Sequence, residues 1–224
     1  MIESFADEAA LAAAAAAATV EVLGAGLTAR GYASLIGTGG RAPAPVYDLL
    51  SEADLDWGRV TVGLSDDRLV PVTSPDSNER LVRERLLRGR AALASFLPLY
   101  SNAPSPEACA DIAEPHVRAL APFDMLFLGM GEDGHVASLI PGSPVMEAGL
   151  DPEGERYVIG VPEGVGSPPI ARISLTLPAL LAARQTLLLI KGPVKREIVA
   201  HGSGRPVHAL IKQAKAPVRV LWAP

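Results

Sequence analysis

The sequence is poor in the residues on which several classes of protein depend. Its 224 residues include one cysteine, Cys109, which excludes an internal disulfide bond and a zinc site built from several thiolates. A single thiol suits a reducing compartment, so we expect a cytoplasmic protein. Aromatic residues make up 4% of the chain, too few for a platform on which nucleic-acid bases stack.

Long runs of one kind of residue are also missing. No apolar run reaches the roughly 18 residues that span a bilayer, and the alanine-rich residues 12–18 lack the basic flank of a signal peptide. The net charge is −5 without a block of like charges, which argues against a nucleic-acid surface. None of the four histidines belongs to an HExxH motif. We therefore expect no membrane, nucleic-acid or metal binding.

Segments typical of strands alternate with segments typical of helices, and 49% of the residues are hydrophobic, enough for a substantial core. Strands are predicted at residues 32–36, 59–64, 125–128, 156–161, 172–177, 186–190 and 218–222. Helices are predicted at residues 3–30, 45–51, 79–88, 105–120, 178–183 and 206–213, with another beginning near Lys195. The alternation favours an α/β fold with a doubly wound, mainly parallel sheet flanked by helices, similar to the Rossmann fold. The length fits one large domain or two small ones, and we predict a single domain over residues 1–224.

The most informative stretch follows the apolar strand predicted at residues 125–128. Three glycines within six residues let the backbone turn sharply and let other groups approach it closely. The same loop carries Asp133 and His135, a pair that can move and orient a proton near neutral pH. A loop that ends a strand is the usual place for a ligand in an α/β sheet.

The glycines of residues 129–134 also match the G-x-G-x-x-G pattern of a dinucleotide site. Such a site needs a helix that runs on from the third glycine and an acidic residue at the end of the next strand. Here His135 follows at once, and Pro141 and Pro144 break the chain soon afterwards. We therefore discount a nicotinamide or flavin site.

Further charged or glycine-rich loops follow other predicted strands. Residues 37–43 contain Gly39, Gly40 and Arg41 before a helix, which is either an anion site or an ordinary turn with a surface arginine. Residues 65–71 gather two acids and Arg68, either for a site or as a solvated turn.

Lys195 lies in the first turn of a predicted helix, an unfavourable place for a cation unless an anion neutralises it. All these loops follow the carboxyl ends of strands, and those ends share one edge of a parallel sheet. The sequence therefore predicts one site at this edge.

Taken together, these segments resemble the 6-phosphogluconolactonase family, of the glucosamine-6-phosphate isomerase/deaminase type. The most specific motif is the Gly-Met-Gly-x-Asp-Gly-His-x-Ala-Ser-Leu run. The matching segments are residues 38–43, 66–78, 129–139, 172–178 and 192–195. The chain departs from the family pattern where Arg41 and Ala42 replace two hydroxyl residues, and where Asp67 replaces a glutamate. Arg41 either compensates for the lost hydroxyl groups or points to solvent.

The resemblance implies hydrolysis of 6-phospho-D-glucono-1,5-lactone to 6-phospho-D-gluconate in the oxidative pentose phosphate pathway, without a metal or organic cofactor. The expected partner is this small-molecule lactone, and the chain is expected to be a monomer or a small homo-oligomer. In our hypothesis His135 handles the proton, Asp133 orients His135 directly or through water, and Arg68 neutralises the phosphate or the developing oxyanion. The remaining substrate or phosphate contacts are Gly39, Gly40, Arg41, Asp66, Asn78, Arg172 and Lys195.

Two alternatives share the fold. An amino-sugar-phosphate deaminase/isomerase would carry Asn-Glu-Pro after the Asp-Gly-His run, where this chain has Ala-Ser-Leu-Ile-Pro at residues 137–141. A non-catalytic sugar-phosphate-binding domain of a repressor would bring a DNA-binding helix-turn-helix, for which 224 residues leave no room.

Overall fold

Across residues 2–224, which the computed structural model describes, ten β-strands alternate with eight α-helices. The strands are β1 (Ile2–Ser4), β2 (Ala33–Gly37), β3 (Val60–Leu64), β4 (Asp66–Arg68), β5 (Ser95–Phe96), β6 (Met125–Leu128), β7 (Val158–Val161), β8 (Arg172–Leu175), β9 (Gln185–Lys191) and β10 (Val218–Ala223). The helices are α1 (Glu8–Arg30), α2 (Ala44–Ser51), α3 (Asn78–Arg85), α4 (Pro106–Leu120), α5 (Met146–Leu150), α6 (Leu177–Leu181), α7 (Gly192–His201) and α8 (Pro206–Gln213).

Seven strands form one sheet in the order β1-β10-β9-β6-β2-β3-β5, and every neighbouring pair is parallel. The central strands β2 and β6 are apolar or small and buried throughout, as expected where both faces of a sheet are covered. This confirms the predicted α/β fold. The connections lead away in opposite directions from β2 and β6, so the switch point of the sheet, where ligands bind in such folds, lies between them.

Three further strands form a small antiparallel sheet in the order β4-β8-β7. The sequence predicted strands at β7 and β8 but no second sheet, and it predicted a loop where β4 lies, which was wrong. Polar residues such as Arg172 and Ser174 alternate with apolar ones along β8. Such alternation is more typical of antiparallel strands than of buried parallel ones, so the sequence of β8 already differed from that of β2 and β6.

Helix α1 begins at Glu8 and not at residue 3, so that predicted boundary was wrong. The side chain of Asp7 caps the helix by accepting a hydrogen bond from the backbone N–H of Ala10 at 2.8 Å. The residues before it form β1, which pairs with β10. By length and composition α1 could cross a membrane, but here seven of its residues are buried in the protein interior. It ends as predicted, at Gly31 with φ of 79°.

Candidate functional site

The loops after four neighbouring strands, β9, β6, β2 and β3, border one cavity of about 460 Å³. Of the ten predicted site residues, the cavity is lined by Gly39, Gly40, Arg41, Asp66, Arg68, Asn78, His135, Arg172 and Lys195. The tenth, Asp133, is not among the lining residues but contacts His135. Several other lining residues had no predicted role, among them Glu132, Ala137 and Lys191. The structure therefore brings the whole predicted set together at one edge of the sheet.

His135 forms a direct pair with Asp133. Its Nδ1 lies 2.7 Å from Oδ1 of Asp133, and the same oxygen accepts the backbone N–H of His135 at 3.1 Å. Burial raises the pKa of Asp133, but the hydrogen bonds and the charge of His135 outweigh burial and hold that pKa below its usual value. Asp133 is therefore a carboxylate near neutral pH. It favours the tautomer with hydrogen on Nδ1, which leaves the other ring nitrogen free to accept a proton.

The glycines of this turn make room for that pair. A Cβ at Gly131 would lie 2.3 Å from Nδ1 of His135 and 2.4 Å from Oδ1 of Asp133, closer than side-chain atoms approach one another. Gly134 has φ of 82°, and its N–H donates to the carbonyl of Gly131 at 3.0 Å. No helix begins between Gly134 and Met146, as the sequence predicted when the dinucleotide site was discounted.

The segment after His135 is fixed to the small sheet. Ala137 adopts φ of 50°, a left-handed conformation that is uncommon for a residue other than glycine. The next residue, Ser138, donates its hydroxyl to Oδ2 of Asp66 at 2.6 Å and its backbone N–H to Oγ of Ser174 at 3.0 Å. Strain of this kind persists where surrounding contacts over-determine the backbone, and it is frequent at functional sites.

Asp67 is fully buried beneath the cavity and organises two of its walls. Its carboxylate accepts the backbone N–H groups of Arg68 at 2.8 Å, Asn78 at 2.7 Å and Glu79 at 3.0 Å. These bonds join β4 to the start of α3, where Ser77 is the N-cap. Burial raises the pKa of Asp67 to about 6, although the three hydrogen bonds oppose that shift.

The raised pKa of Asp67 predicts a specific pH dependence of stability. Because the folded pKa lies above the unfolded one, the folded state binds this proton more tightly, and the resulting stabilisation is lost as pH rises through about 6. Between pH 5 and pH 7 the free energy of unfolding should fall by about 1 kcal/mol through this group alone. Urea titrations should show that fall in the parent protein and a shallower one in Asp67→Asn. Equal slopes in both proteins would contradict the assignment.

Arg68 and Arg172 lie directly opposite each other on β4 and β8. Like charges at such cross-strand positions destabilise a sheet. Nη1 of Arg68 donates to the carbonyl of Asp76 at 2.6 Å, and Nη2 of Arg172 donates to that of Pro168 at 2.8 Å. The Nε atoms of both arginines are buried and find no hydrogen-bond partner within residues 2–224. Two cationic side chains that line one cavity and keep a buried donor unsatisfied indicate a site for an anion.

The glycine loop after β2 forms another wall of the cavity. Gly39 packs against Asn78 so closely that a Cβ would lie 2.0 Å from its Oδ1, and Gly40 has φ of 94°. Helix α2 follows at once, with Pro43 in the N-cap position and no side-chain cap from residues 2–224. Pro43 and Pro45 have no N–H, so the first turn of α2 offers an anion the N–H groups of Ala44 and Val46. Arg41 is exposed and lines the cavity.

Two lysines at the end of β9 complete the charge of the cavity. Lys195, in the first turn of α7, is half-buried, and Lys191 forms an ion pair with Glu8 of α1. The lining includes five cationic side chains and two acidic ones, Asp66 and Glu132, in a chain whose net charge is −5. The cavity is therefore a local concentration of positive charge that attracts anions. Within residues 2–224 no three His, Cys, Asp or Glu side chains cluster as metal ligands would.

Comparison with known proteins gives consistent matches over nearly the whole chain. The family model described as glucosamine-6-phosphate isomerases/6-phosphogluconolactonase matches residues 6–222. A 6-phosphogluconolactonase of Caulobacter vibrioides is 42% identical over 224 residues, which cover 99% of this chain and 97% of the relative. A 6-phosphogluconolactonase of Rhizobium meliloti is 41% identical, and the match covers 90% of this chain and 89% of the relative. The crystal structure of a 6-phosphogluconolactonase from Shewanella baltica matches with a TM-score of 0.92 at 34% identity, over 100% of this chain and 97% of that one.

Proposed function

This chain belongs to the glucosamine-6-phosphate isomerase/6-phosphogluconolactonase family, and we propose that it hydrolyses 6-phospho-D-glucono-1,5-lactone to 6-phospho-D-gluconate with His135 handling the proton. The reaction is the lactone-opening step of the oxidative pentose phosphate pathway. The observation that carries the site assignment is the His135–Asp133 pair on a cavity lined by five cationic side chains. The segment after it, residues 137–141, lacks the Asn-Glu-Pro typical of the deaminases, which favours the lactonase.

In the proposed reaction, water attacks the lactone carbonyl and gives up a proton to the free ring nitrogen of His135. Asp133 stabilises the imidazolium that forms and keeps the ring in place. The tetrahedral intermediate then collapses with cleavage of the bond between the carbonyl carbon and the ring oxygen. His135 returns its proton to that oxygen, which becomes a hydroxyl group. A lactone is an activated ester, so neither a covalent nucleophile, a metal nor an organic cofactor is part of this scheme.

The cations of the cavity have two tasks in the proposal, which are to hold the phosphate and to stabilise the oxyanion. The N–H groups of Ala44 and Val46 at the start of α2, next to Gly39 and Gly40, suit a phosphate, and Lys195 and Arg41 add positive charge. Arg68 and Arg172 supply two cationic side chains, each with an unsatisfied donor, in the same cavity, where an anion arrives or charge develops. We place the enzyme in the cytoplasm, where its single thiol stays reduced.

Lactone hydrolysis can be measured directly by coupling the product to 6-phosphogluconate dehydrogenase. The rate above spontaneous hydrolysis in buffer should rise in proportion to the concentration of the purified chain. Incubation with glucosamine 6-phosphate should release no ammonia. A rate of lactone hydrolysis equal to that of buffer would contradict the lactonase proposal. Ammonia release without lactone hydrolysis would favour the deaminase.

A further inference from the structure

The N-terminus of α8 holds the turn that carries His135. Two carbonyl groups of that turn, those of Glu132 and Gly134, accept hydrogen bonds from residues at the start of α8. Nη1 of Arg205 donates to the carbonyl of Glu132 at 3.1 Å, and the backbone N–H of Val207 donates to the carbonyl of Gly134 at 3.0 Å. These bonds attach the turn to a helix more than 70 residues away in sequence.

The stem of Arg205 also packs directly on the turn. A Cβ added at Gly134 would lie 2.6 Å from Cδ and 2.8 Å from Cβ of Arg205. The methylene groups of the arginine therefore occupy the space beside Gly134, whose φ of 82° already favours glycine. The turn cannot shift towards α8 without a clash, and the hydrogen bond to Glu132 opposes a shift away from it.

Arg205 is itself fixed to the neighbouring helix. Its backbone N–H donates to Nδ1 of His208 at 3.3 Å, and Nε2 of His208 lies 2.8 Å from the carbonyl of Ile198 on α7. Since Nδ1 accepts a hydrogen bond here, Nε2 carries the hydrogen and donates to Ile198. The first turn of α7 carries Lys195. Arg205 and His208 therefore connect the turn that carries His135 to the helix that carries Lys195.

We propose that Arg205 is a positioning residue for lactone hydrolysis. It does not line the cavity formed by the described residues, and it acts by holding the Glu132–Gly134 backbone so that His135 meets the lactone carbonyl at hydrogen-bonding distance. This inference rests on the proposed role of His135. Because the guanidinium of Arg205 donates a hydrogen bond to Glu132, whereas its link to α7 runs through its backbone N–H, loss of the side chain should affect turnover and leave substrate binding nearly unchanged.

Arg205→Met keeps the stem and removes the donors. We expect kcat to fall about tenfold, since a displacement of about 1 Å in a catalytic group costs up to about a hundredfold, while KM stays within about twofold. Arg205→Lys, which keeps the stem and one cationic donor, should recover part of the loss. The matched control is Arg90→Met, which removes an exposed arginine paired with Asp54 and should leave kcat unchanged. Thermal unfolding of each variant checks that the fold is retained.

A double-mutant cycle separates positioning from a general structural effect. In the His135→Ala background, Arg205→Met should change the residual rate by less than about twofold, because the group that it positions is gone. The same loss in both backgrounds, an unchanged kcat in Arg205→Met, or a reduced kcat without recovery in Arg205→Lys would each overturn the inference. Full activity in His135→Ala alone would instead overturn the proposed role of His135, so the two failures are distinguishable.

Discussion

Replacing His135 by alanine is expected to lower the lactonase rate by about 10²- to 10⁴-fold while the fold is retained, the range that a positioned general base supplies. The reason is chemical, because no other histidine, and no carboxylate except Asp66 and Glu132, lines the described cavity. The carboxylate of Asp66 accepts the hydroxyl of Ser138 at 2.6 Å, which makes it a poor substitute as base. The measurement is the coupled assay, corrected for spontaneous hydrolysis of the lactone.

The control for this variant is His116→Ala. His116 is exposed on α4, outside the cavity lining, so its removal should change the rate by less than about twofold. Both variants should unfold at nearly the parent temperature, since Asp133 is left partly exposed and can be hydrated when its partner is lost. If His135→Ala keeps its activity within a few-fold of the parent, another group must accept the proton.

The candidate site could be predicted from the sequence because its residues lie in loops that directly follow predicted strands. A loop that follows a parallel strand lies at a known edge of the sheet, so the segments containing Gly39, Arg68, His135 and Lys195 could be placed together without coordinates. The pairing of Asp133 with His135 was also expected, either directly or through water, and the structure shows the direct contact. No long-range information was needed for these expectations.

The parts that escaped prediction depend on contacts between distant segments. The pairing of Arg68 with Arg172 arises from an antiparallel ladder across about a hundred residues, and no local pattern fixes its register. The contact of Arg205 with Glu132 is of the same kind. The left-handed conformation of Ala137 was not predictable either, because it is imposed by the bonds of Ser138 against the intrinsic preference of alanine.

The pair formed by Arg68 and Arg172 is expected to lower the stability of the ligand-free protein and to strengthen substrate binding. Burial lowers the pKa of Arg172, the charge of Asp66 raises it, and the charge of Arg68 lowers it again. A buried cation with an unsatisfied donor and a like charge opposite costs free energy in the empty protein. Proteins retain such features where a ligand repays them, and removing them commonly stabilises the fold at the expense of function.

Arg172→Met should therefore raise KM for the phosphorylated lactone by about ten- to a hundredfold, the worth of a charge-assisted hydrogen bond, and leave the unfolding temperature of the empty protein no lower than that of the parent. In the parent, 6-phosphogluconate should raise the unfolding temperature, because it binds only the folded state, and in the variant this rise should shrink. Arg172→Lys keeps a cation without the planar guanidinium, so its KM and its rise in unfolding temperature should lie between those of the parent and of Arg172→Met. A variant that unfolds several degrees earlier and yet keeps the parent KM would show that Arg172 serves the fold, and that the anion is held by the loop after β2 and by Lys195 alone.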